Sequence, residues 1–360
     1  MGQTPEIADR KAEHIALCET DQVAFQRKSN LLEEVELIHE ALPEMSLDEV
    51  DLSVEFAGKT LRAPLMIAAM TGGTELAEAI NRDLAAMAEI YGIGFGFGSQ
   101  RPLLQEGITT GYRVRDVAPN ALVLGNIGLV QAREASTLEL GKMVETCGAD
   151  ALVVHLNPAQ ELIQPGGDLD FRDGLPTLER LVNELPVPII VKETGCGLSR
   201  SVGQRIRDVG VQYADVSGSG GTSWVGVETL RTRNEQKSLG QRFWDWGIPT
   251  AASVAQLGGL GLKVCATGGL SDGLMVARAV ALGARVGGIA RAFLQARAEG
   301  GVDGLDARVR QVLAEIRIAH FLAGARTPAE LQDKPLILGP KLTRWVPRGT
   351  PLWERAHPSA

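Results

Sequence analysis

Two short strings in this 360-residue chain gather the side chains best suited to chemistry: His155-Leu156-Asn157-Pro158-Ala159-Gln160-Glu161 and Ser99-Gln100-Arg101. The first combines a titrating imidazole, two neutral amides and one carboxylate. A single carboxylate beside amide oxygens is a poor all-protein metal site, but it suits a Mg2+ that takes most of its ligands from a diphosphate and water. Glu161 is therefore the metal candidate. Lys192 closes the apolar run Pro188-Ile189-Ile190-Val191. In such a setting an ammonium can form a Schiff base or stay charged beside an anion such as a reduced flavin ring, and the two choices belong to different enzyme classes. Pairing with Glu193 is disfavoured, because adjacent side chains on a strand point to opposite faces. Arg10, Lys11 and His14 lie at helical spacing i, i+1 and i+4, and with Arg101 they suit a diphosphate clamp built on charge-assisted hydrogen bonds.

A second signal is made of glycine. Gly268-Gly269 precedes a helix expected near Ser271-Asp272, and Gly287-Gly288 precedes Ala290-Arg291. Backbone N–H groups with no Cβ in the way, aimed along a helix dipole, bind phosphate. A phosphorylated cofactor is implied. His39, His320 and His357 fit no comparable position and read as structural or surface residues.

These side chains need a scaffold that collects them, and the periodicity supplies one. Short apolar, β-branched or Gly-rich runs alternate with amphipathic stretches, the pattern of βα units around a parallel sheet. The strand candidates are Ala63–Met70, Gly92–Gly98, Ala121–Gly125, Ala151–His155, Pro188–Lys192, Tyr213–Ser217, Lys263–Thr267 and Arg285–Ile289. Helices are expected over Leu76–Ile90, Leu104–Val117, Ala132–Thr146, Thr177–Leu185, Ser199–Val209, Ala251–Gly258, Asp272–Leu282 and Ala307–Ala323. Eight such units within about 260 residues have the size of an α/β TIM (β/α)8 barrel. A doubly wound sheet would want an early G-x-G-x-x-G between strand and helix; Gly94 to Gly98 lies inside a strand, and Gly259-Leu260-Gly261 comes before one. The chain then divides into an amino-terminal arm (1–60) with a basic helix and a hairpin at Gly58, the barrel (61–325), and a carboxy-terminal tail (326–360) that wraps the surface or a neighbouring subunit. Residues 222–247 form a long insertion after strand six, a candidate lid. In such a barrel the strand tips and the loops behind them form one mouth, and the residues above fall at those tips.

Composition narrows the partners. With 44 acidic against 36 basic residues the net charge is −8, so the overall field repels nucleic acid and anionic membranes. Four cysteines without a C-x-x-C pair favour neither a zinc site nor a disulfide scaffold, and point to the reducing cytoplasm. Uncharged stretches such as Val117 to Ala132 are broken by Pro, Asn, Gln and Gly, so no membrane span is expected.

In their order along the chain, Arg10-Lys11-x-Glu13-His14, Met70-Thr71-Gly72-Gly73, Gly98-Ser99-Gln100-Arg101, the His155 to Glu161 string, Val191-Lys192-Glu193, Val216-Ser217-Gly218-x-Gly220-Gly221-Thr222-Ser223-Trp224 and Gly268-Gly269 resemble the type 2 isopentenyl-diphosphate isomerase family. The resemblance spans residues 10 to about 325. It implies an FMN- and Mg2+-dependent conversion of isopentenyl diphosphate to dimethylallyl diphosphate on a TIM barrel, with NADPH as reductant of the flavin. It also implies FMN contacts by Ala69, Met70, Thr71, Ser99, Asn126, Lys192, Ser217, Thr222, Gly268, Gly269, Ile289 and Ala290. Substrate contacts are implied for Arg10, Lys11, His14, Ser99, Gln100, Arg101, Asn157 and Gln160, catalytic roles for Gln160, His155 and Lys192, Mg2+ at Glu161, and a homo-oligomer, tetramer or octamer. The tail and the string Gly125-Asn126-Ile127-Gly128 depart from the family pattern. Two alternatives remain open. An FMN-dependent oxidoreductase of the 2-hydroxy-acid oxidase or dehydrogenase type would want a histidine after strand seven, where Ala266-Thr267-Gly268 stands. A flavin-free lyase would use Lys192 covalently.

Overall fold

The computed structural model describes residues 5–232 and 234–357, with side chains from residue 11 onward except at 234. Eight parallel strands close into a TIM barrel in chain order: Leu65–Ile67, Gly94–Gly96, Leu122–Gly128, Ala151–Leu156, Ile189–Glu193, Tyr213–Asp215, Lys263–Ala266 and Val286–Ile289. The eighth pairs back onto the first through Gly287↔Leu65 and Ile289↔Ile67. All eight strands anticipated from the sequence are present, several with shorter ends.

Alternation along the strands builds two cores. Outward residues such as Leu152, Val154, Ile189 and Val191 pack against the surrounding helices. Inward residues Met66, Leu122, Leu124, Ala151, Val153, Ile190, Tyr213, Cys265 and Val286 form a separate buried cluster inside the barrel. That cluster also contains Val54, Phe56, Ala57 and Leu61 from a hairpin, Val54–Phe56 with Lys59–Leu61, which plugs the amino-terminal end of the barrel. Its turn places Ala57 and Gly58 at φ 48° and 86°, the left-handed pair that a two-residue hairpin needs to match strand twist. Phe56 meets the Tyr213 ring edge-on at 5.3 Å. Burying a side chain of this size contributes about 2–3 kcal/mol. The chemistry is thereby confined to the opposite end.

Helix boundaries differ from the periodicity reading in several places, including an unexpected short helix over Pro158–Ile163. The stretch expected as a helix over Leu104–Val117 is helical only over Arg101–Glu106, because Gly107 turns left-handed at φ 69° and stops it. Ala132–Thr146 is two helices, Leu129–Glu134 and Thr137–Cys147, separated at Ser136, which forms a capping box with Glu139. The last helix starts at Arg291, directly behind strand eight, and runs to Leu322 with a break at Gly301. The insertion carries two helices, Trp224–Arg231 and Asn234–Phe243. Within the tail, Leu336–Leu338 pairs antiparallel with Val35–Leu37, so the tail folds against the arm of its own chain. No helix among the described residues is long and apolar enough to cross a membrane.

Candidate functional site

The inward rows that are apolar at the plugged end turn polar at their last rung. Leu124 is followed by Asn126, Val153 by His155, Ile190 by Lys192, Tyr213 by Asp215 and Cys265 by Thr267. Period-two alternation keeps all of them on the barrel's inner face. Above this layer opens a cavity of about 390 Å³. Its wall includes Lys11, His14, Ala69, Met70, Thr71, Ser99, Arg101, Asn126, His155, Asn157, Gln160, Glu161, Lys192, Ser217, Thr222, Gly268, Gly269 and Ala290.

Three expected residues stand apart. The side chain of Arg10 lies outside the described residues. Ile289 is buried on the outward face of strand eight, among the helix-packing residues, and is not part of the cavity wall. Gln100 is fully buried behind the wall that its neighbours Ser99 and Arg101 join. Its expected contact with substrate does not fit this placement: its side-chain Oε1 is held by the Asn126 N–H at 2.8 Å, away from the cavity wall.

At the floor, Lys192 Nζ donates to Ser217 Oγ at 3.0 Å and to the carbonyl oxygen of Glu193. Ser217 is held at φ 35°, unusual for a residue with a side chain, because its N–H donates to Asp215 Oδ1 at 3.2 Å while its carbonyl accepts from Gly195 and Gly197. Asp215 also accepts from Thr267 Oγ1 at 2.6 Å. Burial pushes the Asp215 pKa up, opposed by the Lys192 charge. Burial, reinforced by the same ammonium, pushes His155 down to about 3, so its ring is neutral near pH 7.

One wall carries the metal candidate. Glu161 accepts from Asn157 Nδ2 and the Asp168 N–H, each at 2.8 Å, and from Gln164 Nε2 at 3.3 Å. Among the described residues no three His, Cys, Asp or Glu side chains gather as a metal cluster. Gln160 Nε2 donates to Glu228 Oε1 at 3.3 Å. Glu228 also meets His14 Nε2 at 3.0 Å and Arg231 at 2.7 Å. Burial raises its pKa, yet the hydrogen bonds and charges of His14, Arg231 and Gln160 outweigh that and leave it lowered. Sequence reasoning missed Glu228; its one signal was a lone carboxylate in the apolar run Val225 to Leu230. These contacts bring the helix Pro5–Cys18 to the mouth, where Lys11 Nζ donates to Tyr112 Oη at 2.8 Å and to the Gly72 carbonyl.

The far corner is glycine-rich. A Cβ at Gly268 or Gly269 would collide with the carbonyl oxygens of Gly218 and Gly220, so loops six and seven approach as closely as they do only without one. The helix after loop seven is differently disposed than expected: Asp272 takes the Met275 N–H at 2.8 Å and Glu315 takes the Gly273 N–H at 2.6 Å, so its amino terminus is occupied by the protein's own carboxylates. A partly free cation lies one loop on, with one guanidinium nitrogen 3.6 Å from Asp21 Oδ1. Arg291, at the start of the helix behind strand eight, leaves a buried guanidinium nitrogen without a hydrogen-bond partner.

The FMN-dependent dehydrogenase family model matches residues 5–159 and 167–338. The isopentenyl-diphosphate delta-isomerase of Thermococcus kodakarensis is 44% identical over 348 residues, 94% of this chain and 93% of its own length. The chain belongs to the isopentenyl-diphosphate delta-isomerase family. The same-named protein of Methanothermobacter thermautotrophicus is 40% identical over 350 residues, covering 94% of this chain and 96% of its own. Among solved structures, a flavocytochrome b2 variant with benzoylformate superposes with a TM-score of 0.66 at 19% identity, covering 90% of this chain and 81% of its own. A mandelate oxidase variant with 2-hydroxy-phenylacetamide gives 0.63 at 19%, covering 92% and 98%. At that identity the likeness is one of fold. Within this isomerase-family barrel, the cavity wall carries Arg291 and the glycine corner together with Lys11, His14 and Arg101, and Lys192 lies at its floor.

Proposed function

We propose that the chain isomerises isopentenyl diphosphate to dimethylallyl diphosphate, using reduced FMN on the Lys192 floor and Mg2+ at Glu161. The observation that carries this reading is one cavity lined by Arg291 with the Gly268-Gly269 corner, by Lys11 with Arg101, and by the amides of Asn126, Asn157 and Gln160. The first group suits a cofactor phosphate and the second a substrate diphosphate.

The fit to FMN rests on the unpaired Arg291 nitrogen, the close-packed Gly268-Gly269 corner and the buried Lys192 ammonium. Bound in its reduced form, the flavin would supply an electron-rich ring and an exchangeable proton, so that the double bond moves with no net redox change and NADPH serves only to reduce the cofactor. Glu161 fits a Mg2+ that draws most of its ligands from diphosphate and water, since among the described residues no three His, Cys, Asp or Glu side chains gather there.

The reaction adds a proton at one end of an unactivated alkene and removes one at the other, with tertiary-cation character between. Lys192 holds positive charge beneath the site, positioned by Ser217. Gln160 orients the reacting carbons from a side chain anchored on Glu228. His155 and Asn157 border the substrate, and Lys11, His14 and Arg101 hold the diphosphate away from the floor. Oxidation of a 2-hydroxy acid is the second reading; it lacks a histidine at the tip of strand seven, where Thr267 donates to Asp215 instead.

The test is isomerase activity of the full chain with FMN and Mg2+ after photoreduction. Conversion of isopentenyl diphosphate without consumption of a hydride donor is expected. Turnover of a 2-hydroxy acid with no isomerisation would establish the second reading.

A further inference from the structure

Gln100 does not reach the cavity, and both of its hydrogen bonds to strand three go to a single neighbour. Its side-chain Oε1 accepts the Asn126 N–H at 2.8 Å and its backbone N–H donates to the Asn126 carbonyl at 2.7 Å, while its Nε2 is buried without a hydrogen-bond partner. Strand two ends at Gly96 while strand three continues to Gly128, so Asn126 lies where the regular ladder has lost its partner. The Gln100 side chain supplies the missing rung.

This clamp fixes the residue that orients His155. Asn126 Nδ2 donates to the Phe97 carbonyl at 2.9 Å, and a backbone carbonyl only accepts. The atom turned toward His155 Nδ1, 2.8 Å away, is therefore Asn126 Oδ1, which also only accepts. The shared proton must belong to His155 Nδ1. In a neutral imidazole the lone pair then resides on Nε2. No hydrogen bond joins Nε2 to any described residue, and the ring lines the cavity. Burial and the Lys192 charge favour the neutral ring.

We propose that Gln100 is a positioning residue: by clamping the Asn126 backbone it locks His155 in the Nδ1–H tautomer, so that His155 offers the cavity a hydrogen-bond acceptor. An acceptor at that point matches an O–H or N–H group of the occupant and repels the lone pairs of a diphosphate oxygen. The tautomer follows from the protein alone; only the claim that it faces the reacting ligands rests on the proposed isomerase reading.

The experiment is solid-state 15N NMR of the histidine-labelled full chain with FMN added, in which five histidines make a tractable spectrum and His155→Gln identifies the signal. Wild type should show a protonated Nδ1 and an unprotonated Nε2. Gln100→Met should mix or broaden that pair and lower kcat about 10-fold with KM changed less than about 2-fold, because a slightly misplaced group loses rate more than binding. Gln100→Glu, which keeps an acceptor at the same reach, should restore both. A wild-type His155 protonated at Nε2 or at both nitrogens overturns the proposal, as does an unchanged Gln100→Met spectrum. If Gln100→Met does not fold, the wild-type spectrum and the Gln100→Glu pair still decide. If the full chain fails to isomerise isopentenyl diphosphate, the functional reading falls while the tautomer signal is read as before.

Discussion

The two ends of the barrel are made from the same strands with the same alternation, but they solve opposite problems. At the amino-terminal end the inner rungs are Leu122, Ala151, Tyr213 and Val286, and a hairpin tip with Phe56 and Leu61 fills the space between them. At the carboxy-terminal end the inner rungs are Asn126, His155, Lys192, Asp215 and Thr267, and the space above them is left as the cavity. Apolar rungs attract a plug because dry surface is stabilised by contact. Polar rungs hold one another through a hydrogen-bond web and leave donors and acceptors for an occupant. One scaffold thus separates the part that sets stability from the part that sets chemistry, and the separation can be tested by perturbing each end alone.

The largest stability effect should come from the plug. Phe56→Ala removes the ring packed on Tyr213 and is expected to cost about 3–5 kcal/mol in denaturant unfolding while KM stays unchanged. A change in substrate affinity with little loss of stability would erase the distinction between the ends. Lys192→Met should do the reverse, lowering kcat by roughly 10² to 10³-fold with a small change in melting temperature, since it removes a preorganised charge from the floor. An activity loss under about 10-fold would show that the floor charge is dispensable.

His155 sharpens the comparison through pH. Its folded pKa of about 3 lies below the unfolded value of 6.5, so the unfolded chain binds the extra proton between these limits and stability falls as pH drops through that window. Between pH 6.5 and about 5 this amounts to roughly 2 kcal/mol, and His155→Gln should flatten that part of the profile. Identical pH profiles for the two proteins would place the proton elsewhere. Glu161→Gln is expected to raise the Mg2+ concentration needed for half-maximal activity about 10-fold, measured by metal titration at fixed substrate. The smallest effect belongs to Gly58→Ala in the hairpin turn: its φ of 86° disfavours a side chain although the space is open, so about 1 kcal/mol should be lost with activity intact.

Much of this arrangement is legible before folding. Runs such as Pro188 to Lys192 identify a strand because apolar β-branched residues end at a charge, and in a barrel that charge must fall at a tip. The failures have equally local causes. Gln100 sits between two residues that do face the cavity, and only its hydrogen bond to the Asn126 backbone shows that it turns the other way. Glu228 lies in the insertion, far in sequence from Gln160 and His14, and its partners become apparent only when that helix docks. The helix expected over 104–117 ended early because Gly107 adopted a left-handed turn that periodicity does not register.

What the sequence determined by itself was the parity: five of the eight strands carry a polar residue in step with their apolar inward ones, since alternation is a property of the extended backbone and needs no partner. Which polar groups then meet was decided by closure of the barrel and by docking of the arm and insertion, because hydrogen-bond identity depends on directions that only neighbouring strands and helices set. The proton on His155 is the clearest case. The residue was visible as a candidate, but its donor and acceptor sides are assigned by Asn126, and through it by Gln100, two strands away.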